Sequence, residues 1–183
     1  MLAPQRPWLC QGDVFELLPW VLTRLVDGEV KPYGDSGGAL LVSDGCQIDK
    51  RDNSGPLPIT RIERLQFAPL RAVDDLRNQD HRQRVRNLNP NPPEPVYVGE
   101  VPGFEGDYFA ALSEVYDLPA AYFDPELKDR TGDLQLEPDD PDPWRLMIRD
   151  HDTRVGSLAD DLLKSMRRKM ILYWTGKDPR NTA

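Results

Sequence analysis

The chain has 183 residues, 30% of them charged and 39% hydrophobic, with a formal net charge of -8 and 18 prolines. That length supports one domain with a sizeable core plus appended elements, and the prolines with a mean hydropathy of -0.60 call for long polar connections. The acidic field repels nucleic acid and anionic membrane surfaces, so binding either one requires a local basic patch.

No apolar run approaches the roughly 20 residues that cross a bilayer. Met1 to Trp8 lacks the apolar core and cleavage pattern of a signal peptide. A cytoplasmic protein is expected, with Cys10 and Cys46 as reduced thiols rather than a stapled framework.

In chain order, Gly12 to Leu18 is a short apolar run behind a turn-forming Gly-Asp pair, which predicts a strand ended by Pro19. Thr23 to Gly38 carries turn chemistry at both ends, Asp27-Gly28 and Gly34 to Gly38, and reads as a long loop with at most a weak hairpin. Ala39 to Ser43 is a continuous apolar run that suits a central strand buried on both faces. Ile59 to Leu70 predicts a third strand interrupted at Pro69. Arg71 to Leu88 has no Gly or Pro and reads as an exposed helix carrying Arg77, Arg82, Arg84 and Arg86, the densest basic group in the chain. The prolines after Asn89 stop it.

Val96 to Val98 and Asp107 to Leu112 predict two strands around a Pro102-Gly103 turn. Residues 124–156 are expected to be an acidic, Pro-rich linker. The last element, residues 157–175, reads as an amphipathic helix: Ser157 and Asp160 resemble a capping box, and Asp160 and Asp161 oppose the basic end formed by Arg167, Arg168 and Lys169. Leu158, Leu162, Met166, Met170 and Trp174 recur every four residues as one apolar stripe, a face meant to pack on the same domain or on a partner.

Gly12-Asp13-Val14-Phe15, then Leu40-Leu41-Val42-Ser43, then Phe67-Ala68-Pro69-Leu70, and finally Asp107 to Val115 leading into Leu118-Pro119, resemble in order and character the MazF/PemK-like toxin family over roughly residues 12–123. The resemblance implies an α+β fold: a small SH3-like β-barrel over residues 1–123, here with an inserted helix near 71–88 and the C-terminal amphipathic helix packed on it. It also implies dimers, a surface for single-stranded RNA or an antitoxin peptide, and a bacterial or bacteriophage setting. Active members are expected to cleave RNA without metal, using an Arg-Pro pair before the second strand and a Ser or Thr after the Ala-Pro-Leu segment. Here Gly37-Gly38 and Arg71 occupy those places.

Three readings follow. The first is a degenerate barrel acting as a protein-interaction module, with a protein partner or a second copy bound through Leu158, Leu162, Met166, Met170 and Trp174, or through Cys46 and Lys50 at a strand end. The second is a metal-independent endoribonuclease with relocated groups, Arg71 with Asp44 or Asp49, acting on single-stranded RNA. The third is an acidic nucleic-acid mimic built on Asp124 to Asp142. A Cys46 nucleophile lacks a nearby His, and Asp44, Cys46 and Asp49 mix hard and soft ligands, so no metal and no cofactor are expected. His81 and His151 stand isolated in polar surroundings.

Overall fold

The computed structural model describes residues 2–4, 9–43, 51–52, 59–60, 64–88, 94–120, 123 and 153–176. Two long strands, β1 (Asp13–Val26) and β2 (Glu29–Leu41), form an antiparallel hairpin paired from Val14↔Leu40 out to Val26↔Glu29. The expected loop at Thr23 to Gly38 is therefore ordered strand. Its tip, Asp27-Gly28, has φ of 54° and 82°, the two positive values that a type I′ turn needs and that match the twist of a tight hairpin. Pro19 does not end β1, and Pro32 lies within β2. Both sit where the hairpin has no third strand among the described residues, so a missing ladder donor is tolerated.

The root of the hairpin is the sheet's centre. β2 pairs with β5 (Arg64–Ala72) through Ala39↔Pro69, Leu40↔Ala68 and Leu41↔Phe67, so Pro69 lies inside the strand rather than interrupting it. β6 (Pro95–Glu100) and β7 (Asp107–Ala111) form the expected second hairpin, and β8 (Tyr116–Pro119) and β9 (Arg154–Ser157) complete the sheet. The strand order is β6-β7-β5-β2-β1-β9, with β8 also on β5. A two-residue pair, β3 (Arg51–Asp52) with β4 (Ile59–Thr60), stands apart. β9 corrects the expected linker at 124–156, whose last residues join the sheet beside β1.

β5 pairs with β7 along Leu70–Ala72 and with β8 along Arg64–Phe67. Between β7 and β8 the 3-10 turn Leu112–Glu114 is interposed, so both strands follow β5 but out of step. The antiparallel sheet curls into a half-barrel within an α+β fold.

Alternation divides the side chains between two cores. Val14, Leu40, Val42, Ala68, Leu70, Val96 and Val98 point to one face with Leu158 and Met166; Phe15, Ala39, Leu41, Leu65 and Phe67 point to the other. Residues Ala39 to Val42 are fully buried, as expected of a strand covered on both sides.

Two helices cover parts of this sheet. α1 is shorter than expected, Gln79–Arg86, and follows a 3-10 turn at Val73–Asp75; the Asn78 side chain caps it by accepting from the Asp80 N–H. The arginines of the basic group are partly consumed in holding it. Arg82 donates to the Leu76 and Asp74 carbonyls, and Arg86 grips Asp107 at 2.6 and 2.9 Å with Tyr97 donating to the same carboxylate. Arg86 holds Asp107 below the usual carboxylate range, and burial, followed by Asp107, pushes the Tyr97 hydroxyl up.

α2 spans Asp160–Thr175 and starts after Ala159, without a side-chain cap. Ser157 is not its cap: it ends β9 and gives its hydroxyl proton to Asp13. Gly176 closes the helix in the left-handed region, its N–H reaching the Leu172 carbonyl. No helix among the described residues is long and apolar enough to cross a membrane.

The stripe also behaves differently from its linear reading. Leu158 precedes the helix; within it each step of four residues overshoots a 3.6-residue turn by roughly 40°, so the three steps from Leu162 rotate Trp174 well away from it. Leu158 and Met166 are buried, Leu162 and Met170 half-buried, and Trp174 is 51% exposed. Ser165 and Lys169 take the inward positions instead, with the Ser165 hydroxyl donating to the Leu88 carbonyl.

Candidate functional site

The interposed turn between β7 and β8 creates the most chemically loaded spot on the sheet. From this turn Glu114 returns toward β5 and accepts from the Arg71 guanidinium. Both side chains are about one-third exposed. The Arg71 Cζ also stands 6.0 Å from the centroid of the Trp20 ring, within the reach of a cation–π contact.

Trp20 lies flat across β2 because Gly37 has no side chain. A Cβ at that position would sit 2.7 Å from the indole Cη2, nearer than atoms pack. The space a side chain at Gly37 would take is thus filled by the indole, and Gly38 is likewise covered by Leu70 and Phe104. Behind Trp20 the rings continue: Tyr116 at 5.8 Å, Phe67 stacked on Tyr116 at 5.9 Å, and Phe15 edge-on to Phe67 at 5.5 Å. Burial pushes the Tyr116 hydroxyl well above its ordinary range. Trp20 Nε1 and the Tyr116 hydroxyl are buried with no hydrogen-bond partner among the described residues.

Of the candidate catalytic residues, only Arg71 can be placed. Asp44, Asp49, Cys46 and Lys50 lie outside the described residues, as do Asp124 to Asp142. The carboxylate found beside Arg71 is Glu114, which sequence reasoning missed because register across an interposed turn cannot be counted from the chain. No family model, curated protein or solved structure matches this chain. Among the described residues no cluster of three or more His, Cys, Asp or Glu is arranged to hold a metal ion.

The second distinctive surface is the outer half of the β1–β2 hairpin. Leu25 faces Val30 directly across the ladder, and Val21 and Pro32 lie on the same face by parity. Leu25 and Val30 are 73% and 69% exposed, and Val21 and Pro32 are exposed as well. Glu29, Lys31 and Asp35 stand on the opposite face. The arm therefore carries an uncovered apolar strip on one face, while its other face mixes these charges with the exposed Val26. The helix stripe proposed for binding is mostly spent inside the core; only its end, Trp174 with Tyr173 and Ile171, remains exposed.

Proposed function

We propose that this chain is a protein-interaction module: a small SH3-like barrel of MazF/PemK-like character, from a bacterial or bacteriophage cytoplasm, that binds a protein partner through its β1–β2 arm. One observation carries the reading. A two-stranded ribbon with an exposed apolar strip and, among the described residues, no third strand along its outer half is a surface that monomeric proteins blunt unless it is used. The packing of Trp20 on Gly37 agrees with it, because the indole occupies the place of the cation that catalysis would use. A photo-crosslinking residue at Val21 in the full chain is expected to yield covalent protein adducts in cells, and one at Glu29 on the charged face far fewer. Leu25→Asp with Val30→Asp should remove the adducts while the melting temperature stays within a few degrees, since exposed positions contribute about 0.5 kcal/mol or less. Equal labelling from both faces would sink the reading.

The pairing of Arg71 with Glu114 favours a second reading, a metal-independent endoribonuclease. In that reading Glu114 would take the 2′-hydroxyl proton and Arg71 would hold the charged phosphorane, roles that one carboxylate and one guanidinium can supply. Mixed single-stranded RNA incubated with the protein in chelator is expected to stay intact under the first reading. Cleavage that Arg71→Ala abolishes would replace that reading with the second.

A further inference from the structure

A groove of about 500 Å3 runs between the N-terminal segment and the turn that joins β6 to β7. That volume lies inside the range of about 300–1,000 Å3 typical of ligand sites. Leu2, Val101, Pro102, Phe104 and Val155 supply an apolar lining. Its walls are fixed. Ala3 pairs with Ser157 by two backbone hydrogen bonds, and Leu2 sits so tightly on β9 that a Cβ on Gly156 would lie 3.0 Å from its own Cβ. On the other side the turn passes through Gly103 and Gly106, at φ of 84° and 81°. Gly106 leaves bare backbone on that wall.

Among the described residues that line this groove the charged side chain is a carboxylate. Glu100 is part of the lining, and the β1 bulge between Phe15 and Leu18 turns Glu16 toward the same turn. Glu16 Oε1 lies 2.9 Å from the point where a Gly103 side chain would begin. Neither carboxylate has an ion pair among the described residues, and the adjacent cation, Arg154, is turned away to Asp13. A trough with Glu100 in its lining and Glu16 against its Gly103 turn, in a chain of net charge -8, attracts and orients a cation carried on an apolar stem.

We propose that this groove is a second docking site, distinct from the β1–β2 arm, for a short segment of a partner protein that alternates apolar and basic residues. Apolar side chains of the segment fill the trough over Phe104, Val155 and Leu2. Its lysine or arginine reaches Glu100 and Glu16, and the bare backbone at Gly106 admits the peptide chain closely.

The test titrates the full chain with the capped peptide acetyl-Leu-Arg-Leu-Lys-amide, followed by amide NMR shifts. Saturable shifts are expected at Gly103, Gly106 and Val155. Either Glu100→Gln or Glu16→Gln should weaken binding about threefold and the double variant about tenfold, as exposed ion pairs of this kind are lost. Both substitutions are on exposed side chains and leave the core untouched. A neutral peptide with Gln at the basic positions should bind at least about tenfold more weakly. Equal binding of the neutral peptide, an unchanged double variant, or no saturation at millimolar peptide would overturn the proposal. So would hexylamine occupying the groove while the peptide does not, which would mark a small-amine site instead.

Discussion

Asp13→Ala is expected to destabilise the folded chain by about 3–5 kcal/mol, the loss typical of breaking one side of a buried ion pair. Asp13 is fully buried at the start of β1 and accepts three hydrogen bonds. They come from the Cys10 N–H at 2.8 Å, Arg154 Nη1 at 3.0 Å and the Ser157 hydroxyl. Its carboxylate thus ties the entry to β1 to β9, two segments more than 140 residues apart in sequence. Gly12, at φ 92°, contributes from the backbone: a Cβ there would lie 2.9 Å from Leu163 Cδ1, so the absence of a side chain lets α2 settle on the sheet. Ser157→Ala removes one neutral donor to a charged acceptor and should cost about 1.5–3 kcal/mol. Urea unfolding of the two single variants and the double variant measures the coupling between them. An Asp13→Ala loss under about 1 kcal/mol, with no coupling to Ser157, would mean that the carboxylate does not hold the sheet's edge together.

The same residue shows what the sequence reveals and what it hides. Gly12-Asp13 is visible as turn chemistry before a strand, but the carboxylate's partners lie at the far end of the chain, and no local pattern announces them. Ala39 to Val42 is legible because an unbroken apolar run bounded by glycines has few uses other than a strand covered on both faces. The arm was hidden by its composition. Pro19, Pro32 and alternating charges argue against strand, yet a two-stranded ribbon needs ladder bonds on one side only, and Asp27-Gly28 was the hairpin signal that outweighed them. For the candidate site, Arg71 could be singled out as a cation at a strand end. Glu114 could not, because the interposed turn sets its register, and Trp20 gains its role only through the missing side chain of Gly37. The terminal helix was legible as a helix. Its buried face was not, since a repeat of four drifts around a helix of 3.6 residues per turn.

That drift places Lys169, only 1% exposed, on the inward side of α2 with Ser165 and Met166, and burial lowers its pKa from the ordinary 10.5 to about 8. Between those values the unfolded chain keeps a proton on Lys169 that the folded chain has released, so stability rises with pH across that window. Below about pH 8 both states bind the proton and the full penalty of burying the charge is present. The displacement corresponds to about 3 kcal/mol at most. Relaxation of the surroundings around the charge offsets part of this, so about 1–2 kcal/mol is expected. Lys169→Met keeps the apolar stem and removes the charge, and should raise stability at neutral pH by that amount. Tyr116 acts in the opposite direction at higher pH. Its buried hydroxyl holds a proton that the unfolded chain gives up above about pH 10, so stability falls again there. The rise due to Lys169 is therefore complete near pH 10, and the variant lacks it. Urea unfolding of both proteins between about pH 7 and 10 decides the matter. Parallel stability curves would show that Lys169 keeps an ordinary proton affinity in the fold, and that α2 accommodates its charge rather than suppressing it.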